Sequence, residues 1–518
     1  MSHRRRPHAP GPPPPPEEGG GDSSPQSPRI RPWPERRVLA LALAFRAVNA
    51  LLVRTYFNPD EHWQCLEVAH RVAFGYGHLT WEWKRGLRGY LHPLIFAALY
   101  KFLAFLHLDT PWFMVMAPRL LQSVFAAFGD LYLYKLSKLI FNEDVAQWTL
   151  FSQLVNWFMF FCITRTLSNS LETVLTVAGL YYWFIAIESS KGISVISKQK
   201  AASYQSAHSR KVALLIAALA CAIRPTSAIT WLYVGLLDFI YIKSKCRFLF
   251  LEVIPIGAIV LAATTFLDWW MYGSRVIVPL NFLKFNLFSS GGDYYGTHVF
   301  HWYFTQGLIA WVLGVYSILG HKEFRFVLPV LTLALMFSGY FLAAISQFKG
   351  KNLHGKRQFS RLQLSVILLI ITNVPMALYM SLFHQRGTED VMFYLSKEAH
   401  NGRVKGVLFL MPCHSTPYYS TLHSSLPMRF LDCTPSDNKG TLDESDRFLM
   451  NPLDFVGEVF GNLSSFSHIV LFESEERHVI QLLLRDSFQE VRRFFHSHFK
   501  IDRDLQSSVV VYTRRDVL

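Results

Sequence analysis

Charge is what this chain has least of. Asp, Glu, Lys and Arg make up 17% of its 518 residues, where average chains carry about 25%. Cysteine is scarce too: six residues, too few for a disulfide scaffold. No CxxC, HExxH, Walker loop or GxGxxG in a βαβ setting occurs, and the histidines are scattered rather than set at ligand spacing. These absences argue against a zinc site, a P-loop and a dinucleotide fold, and no metal or cofactor is expected. No internal repeat is visible, which speaks against the paired halves of most transporters.

What is abundant is apolar: 51% of residues, with 15% aromatic. Long apolar runs with few charges indicate a polytopic membrane protein. The net charge of +14 raises nucleic acid as a partner. Its distribution argues for none, because the basic residues gather in the N-terminal tail and between apolar runs, as the positive-inside rule requires.

Residues 1–37 are rich in Pro, Gly and Ser and are expected to be a disordered cytosolic tail. Arg29, Arg31, Arg36 and Arg37 precede Val38 to Val53, which reads as a signal anchor, so the loop 54–89 falls on the far side, the ER lumen of a eukaryote. Further runs are Tyr90 to Leu106, Trp112 to Phe141, Trp148 to Ile163, Ser170 to Ile187, Lys211 to Ile223, Ala228 to Ile242, Phe248 to Trp270, Tyr303 to Leu319, Phe326 to Ile345 and Leu364 to Phe383. About ten or eleven spans are expected. Charge puts the linkers Lys191 to Arg210, Lys243 to Arg247 and Lys349 to Arg361 in the cytosol. Four runs then lie where an odd number is required, so one of them is not a full span. Residues 38–384 form the membrane domain, and 385–518 a small lumenal α/β domain. In the latter, Val407 to Leu410, His468 to Phe472 and Ser508 to Tyr512 read as strands and Val479 to His496 as a helix. Cys413 and Cys433 are able to pair if this part is lumenal, and Asn462-Leu463-Ser464 is a glycosylation sequon.

The chemistry concentrates in Asn58 to Trp83. This loop holds the adjacent pair Asp60 and Glu61, two more acids, three histidines and three tryptophans. A carboxylate at a membrane face is able to take a proton from a sugar hydroxyl. The bland alternative is a solvated acidic pair, with Asp60 capping a helix that Pro59 starts. The sequence His321-Lys322-Glu323-Phe324-Arg325 stands before an apolar run. It is either a phosphate grip, Arg325 bidentate, or a basic anchor at the interface. Arg165 and Glu172 flank a polar break between two apolar runs and are functional groups or a structural pair with each other. Arg119 and Arg224-Pro225-Thr226 share that status. The aromatics Tyr294 to Tyr303 read as an interfacial belt.

Together NPDE in the first loop, TRTLSNSLET, Arg224-Pro225-Thr226 and HKEFRF resemble the GT-C fold mannosyltransferases of glycosyltransferase family 22, over most of Val38 to Phe383. WEWKRGLRGYLHPL, NFLKFN, HWYFTQG, HQRGTEDV and MPCHSTPYYS look like the branch that works on the GPI anchor. The resemblance implies transfer of a third, α1,2-linked mannose from dolichyl-phosphate mannose to the GPI lipid precursor at the ER membrane, without a cofactor. A β-linked donor and an α product mean one inverting displacement. Asp60 is then the expected base and Glu61 its orienting or acceptor-binding partner. His321, Lys322, Arg325 and Arg165 are the expected donor-phosphate contacts, and Glu172, Glu323 and Arg224 substrate-binding residues. Other dolichyl-phosphate-sugar transferases, a lipid transporter or scramblase, and a non-catalytic subunit are the alternatives.

One departure stands out. In relatives a hairpin's worth of sequence separates the HWYF segment from HKEFRF. Here Gln306-Gly307 runs through Leu308 to Gly320 straight to His321. Both sides of this run belong on the lumenal face by charge, and one span cannot join them. A shortened, poorly active variant is therefore expected.

Overall fold

The structure, a computed structural model, describes residues 32–191, 196–242, 244–288, 323–347, 360–435, 441–461, 463–499 and 506–517. Residues 1–31 of the expected tail, the aromatic belt, the run Tyr303 to Leu319, His321, Lys322 and Asn462 lie outside them, while Glu35 to Arg37, expected to be disordered, open the first helix.

Among the described residues, six helices are long and apolar enough to cross a membrane: Pro111–Ile140, Ser168–Ser189, Ser206–Ile223, Lys245–Tyr272, Phe324–Gln347 and Arg361–His400. The last is two helices, Arg361–Leu382 and Gly387–His400, either side of a turn where Gln385 takes a positive φ of 60°. Leu91–Phe105 and Pro225–Ile240 are apolar but shorter. The 15 residues of Leu91–Phe105 rise only about 22 Å, against a hydrocarbon core of roughly 30 Å. The expected run Trp148 to Ile163 is broken. Glu143–Val155 stops at Asn156, whose side chain accepts from Met159 N and starts Trp157–Cys162.

The first helix, Glu35–Leu52, lies along Pro111–Ile140 and carries a charge into the bundle. Arg46 is fully buried, and its guanidinium forks onto Asp130, Nε to Oδ2 at 2.7 Å and Nη2 to Oδ1 at 2.9 Å. Removing one partner of such a pair costs about 3–5 kcal/mol, because the other charge stays buried. Elsewhere small residues set the spacing. A Cβ on Gly339 would fall 2.5 Å from Thr149 N, so Leu328–Gln347 and Glu143–Val155 touch backbone to backbone.

The C-terminal domain is a five-stranded sheet of order β2-β1-β3-β5-β4, with β1 Val407–Leu410, β2 Met428–Phe430, β3 His468–Phe472, β4 Phe488–Phe495 and β5 Ser508–Arg514. β1 pairs in parallel with β2 and β3, and β5 lies antiparallel between β3 and β4. β1 and β3 are buried at every position, as strands covered on both faces must be. Gly387–His400 covers one face through Val391, Met392 and Leu395, and Glu473–Arg485 covers the other through Val479 and Leu483. The expected helix Val479 to His496 is corrected here. It ends at Arg485, Ser487 turns the chain at φ 64°, and Phe488 onward is edge strand β4. Strand β2 carried no clear alternation and was not foreseen. Cys413 and Cys433 form a disulfide that ties the chain after β1 to the chain after β2. His414 lies close to both sulfurs, but the disulfide leaves no thiolate for a metal.

Candidate functional site

Asn58 and Pro59 start the loop helix. Asn58 is the cap: its Oδ1 accepts from Asp60 N at 3.0 Å, and Pro59 fills the first turn, where no N–H is needed. Asp60 is therefore not the cap that the bland reading made it. A π-turn, His62–Leu66, follows and runs into Glu67–Phe74, which Gly75 closes at φ 84°. The extra residue in the π-turn divides the side chains. Cys65 and Leu66 pack on Leu91–Phe105, while Trp63 enters the core of the C-terminal domain.

Asp60 and Glu61 have opposite surroundings. Asp60 lines an open cleft of about 810 Å³, solvent-continuous space included, with Arg88, His92, Ser168, Arg224 and Asp268 among the polar groups and Trp83 and Phe282 among the apolar ones. Arg325 Nη1 lies 2.5 Å from Asp60 Oδ2 and 2.8 Å from Asn58 Oδ1. Glu323 shares that arginine at 2.6 Å and accepts from Asn58 Nδ2. Burial pushes the Asp60 carboxyl above its ordinary range, with Arg325 and Arg88 pulling it back. Glu61 is wholly enclosed. Arg165 Nη1 meets its Oε2 at 2.7 Å and Arg119 Nε its Oε1 at 3.2 Å. Burial raises its carboxyl too, but the two guanidinium groups outweigh that and hold it below the usual value. The expected solvated acidic pair is thus one cleft-facing carboxylate and one locked in the interior.

Arg165 is also corrected. It is fully buried, with Nε on Phe161 O at 2.8 Å, Nη1 on Thr55 O at 2.6 Å and Nη2 on Thr55 Oγ1 at 2.9 Å besides Glu61. It is enclosed by protein and does not line the cleft, so it buttresses Glu61 rather than reaching a phosphate there. The structural pair Arg165–Glu172 is not formed either. Glu172 instead pairs with Arg224 at 3.2 Å, and Arg224 reaches Asn169 Oδ1 at 3.1 Å at the cleft wall. Arg325 joins Asp60 from a distant part of the sequence, which brings two of the expected site segments together. His321 and Lys322 stand outside the described residues.

Sequence reasoning missed Asn58, Arg88, Asp268 and Glu389. Asp268 had a signal: one of two acids in the run Phe248 to Trp270, it is a functional candidate by default. It accepts from Tyr90 N at 2.8 Å and fixes the entry of Leu91–Phe105 at the cleft. Glu389 had only its place in the HQRGTEDV segment, and nothing in a polar helix announces that it reaches Arg119.

The C-terminal domain and the first loop are interlocked. Glu67 Oε1 accepts from Tyr418 N at 3.0 Å, Ser420 N at 2.9 Å and Ser420 Oγ at 2.6 Å, and Trp63 Nε1 donates to Thr416 O at 2.8 Å. Glu67→Ala should leave three buried donors unpaired, at about 1–3 kcal/mol each before relaxation. Lower thermal stability and faster proteolysis of the C-terminal domain are the expected readouts, and unchanged protection would show the clamp to be dispensable.

A helical membrane body, a carboxylate at the mouth of a cleft and a docked α/β domain define a membrane-embedded group-transfer enzyme of the GT-C kind. ArnT from Cupriavidus metallidurans, in a crystal structure bound to undecaprenyl phosphate, superposes with a TM-score of 0.52 at 11% identity, covering 93% of this chain and 98% of that one. That likeness concerns the fold alone. The chain belongs to the Alg9-like mannosyltransferase family, whose pattern matches residues 37–312 and 307–423, and it is a glycosyltransferase. Mannosyltransferase APTG1 of Arabidopsis thaliana is 59% identical over 516 residues, covering 92% of each chain. GPI alpha-1,2-mannosyltransferase 3 of Mus musculus is 38% identical over 525 residues, covering 95% of this chain and 91% of that one. The two family matches overlap at 307–312, inside the run Tyr303 to Leu319. The mouse alignment is longer than the 518-residue chain itself, so the relative contributes residues without a counterpart here.

Proposed function

We propose that the cleft transfers mannose from dolichyl-phosphate mannose to the GPI lipid precursor, adding the third, α1,2-linked residue, with inversion. The observation that carries this reading is Asp60: a carboxylate of raised basicity, held by Arg325 and Asn58, facing a cleft between membrane helices in a chain of this family. Asp60 takes the proton from the acceptor hydroxyl as that oxygen attacks the anomeric carbon, and the lipid phosphate leaves. Arg88 and Arg224, both at the cleft wall, are placed to meet the phosphate charge. His321 and Lys322 keep that role by their place in sequence beside Glu323. Glu61 orients rather than binds, since both its oxygens are taken. Glu172 and Glu323 act through Arg224 and Arg325. The leaving group is a phosphate monoester, and its charge balance calls for no metal.

The first loop and the C-terminal domain share one face, and the disulfide between Cys413 and Cys433 suits an oxidising compartment. We assign this face to the ER lumen, with the domain divisions at 37 and 384 and the N-terminal tail in the cytosol. In sealed microsomes the C-terminal domain should resist added protease and Asn462 should carry a glycosidase-sensitive glycan. Clipping of that domain from outside would overturn the orientation. The function itself is tested by GPI-anchored protein display in cells lacking the endogenous enzyme.

A further inference from the structure

We propose that Glu389 of the C-terminal domain is a positioning residue for transfer, holding the turn that carries Asp60 in its reactive geometry. This rests on the reading of Asp60 as the base.

The argument starts from charge. The membrane body buries Glu61, Arg119 and Arg165 together, one carboxylate against two guanidinium groups. That set has an uncompensated positive charge in the interior, which costs several kcal/mol if left so. Glu389 supplies the missing anion from Gly387–His400. Its Oε1 meets Arg119 Nη2 at 2.9 Å, and it is 1% exposed. The same oxygen lies 3.1 Å from His62 Nε2, so that nitrogen carries the proton and donates to it. His62 is itself stacked on Tyr56, with ring centroids 5.4 Å apart.

Geometry gives this bond its consequence. Asp60 lies between two clamps. On one side Asn58 and Arg325 hold it. On the other, Glu61 and His62 are held, and both reach Glu389, one through Arg119 and one directly. Without the Glu389 charge, Arg119 is drawn wholly to Glu61, and His62 keeps only a weaker acceptor. The turn then shifts at the residues adjoining the base. Errors of about 1 Å at a reacting centre cost on the order of 100-fold in rate. Docking of the domain does not depend on this bond, since Glu67 and Trp63 hold the same interface through Tyr418, Ser420 and Thr416. Positioning and docking are therefore separable.

The test is Glu389→Gln in the full-length protein, in the chain as written and with a relative's hairpin after Gly307, using whichever background turns over faster. Expected is a fall in kcat of about 10- to 100-fold with KM for dolichyl-phosphate mannose within about twofold, and unchanged protease resistance of the C-terminal domain. The double variant Arg119→Gln/Glu389→Gln removes both charges of the pair and should recover part of the lost kcat. Wild-type kcat in Glu389→Gln, or a loss confined to KM, overturns the proposal. So does undocking of the domain in Glu389→Gln without recovery in the double variant, because the residue is then merely structural. Failure of the base reading shows itself separately, as wild-type turnover in Asp60→Asn.

Discussion

In the chain carrying a relative's hairpin after Gly307, asparagine at position 60 is expected to lower turnover by about 10²–10⁴ and to leave a two-mannose GPI precursor accumulating at normal protein level. The structure says why the fold survives. The cap of the loop helix is Asn58, which the change does not touch. Arg325 keeps Glu323 at 2.6 Å as its counter-charge, so no buried cation is orphaned. What disappears is the proton acceptor at the cleft. The pH profile offers a second measurement. Because burial raises the Asp60 carboxyl, it becomes protonated, and useless as a base, at a higher pH than a free aspartate. The acid limb of kcat/KM should therefore lie above the ordinary value of about 3.9. Wild-type turnover of Asp60→Asn would remove it from the mechanism. Glu323 would be the next carboxylate to test, since Glu61 is enclosed.

The largest effect is expected at the run Tyr303 to Leu319, where the resemblance implies that a hairpin is absent. Residues before the run Tyr303 to Leu319 lie on the first-loop face: Asn281 Nδ2 donates to Gly86 O at 3.3 Å, and Phe285 packs on Trp81 at 5.8 Å. Arg325, after the run, meets Asp60 on that same face. Two points on one face cannot be joined by a single crossing. A segment that stays in the membrane without crossing needs protein to cover its backbone polar groups. The expected outcome is that this chain rescues enzyme-deficient cells poorly or not at all. Inserting a relative's hairpin after Gly307 should restore GPI-anchored protein at the surface. Full rescue by the unaltered chain at normal expression would sink the idea.

Much of the fold was legible because a membrane enforces long apolar segments, and those runs became helices wherever they are described. Periodicity located β1, β3 and β5 as short apolar strands. It failed at Val479 to His496 because the turn at Asp486 and Ser487 is set by backbone conformation, not by a Gly or Pro. The site was half legible. Asp60, Glu61, Arg224 and Arg325 were visible as charges beside apolar runs. Their pairings were not, since Arg165 chose Glu61 over Glu172 through tertiary contacts across 104 residues. The division between a cleft-facing and an enclosed carboxylate in one dipeptide is likewise a matter of burial, which sequence does not record.

The clamp between Glu67 and Ser420 spans 353 residues of chain. At about 5–20 residues per second, a ribosome needs on the order of 20–70 s to make the second partner after the first. Until Thr416 to Ser420 emerge, Trp63 and Glu67 of the loop helix lack the hydrogen-bond partners that the C-terminal domain gives them. The interlocked interface therefore forms only after most of the chain has been made. A nascent chain stalled before residue 420 holds the complete set of membrane-body residues around Asp60, yet the surface it shows to the folding machinery is that of an unfinished protein.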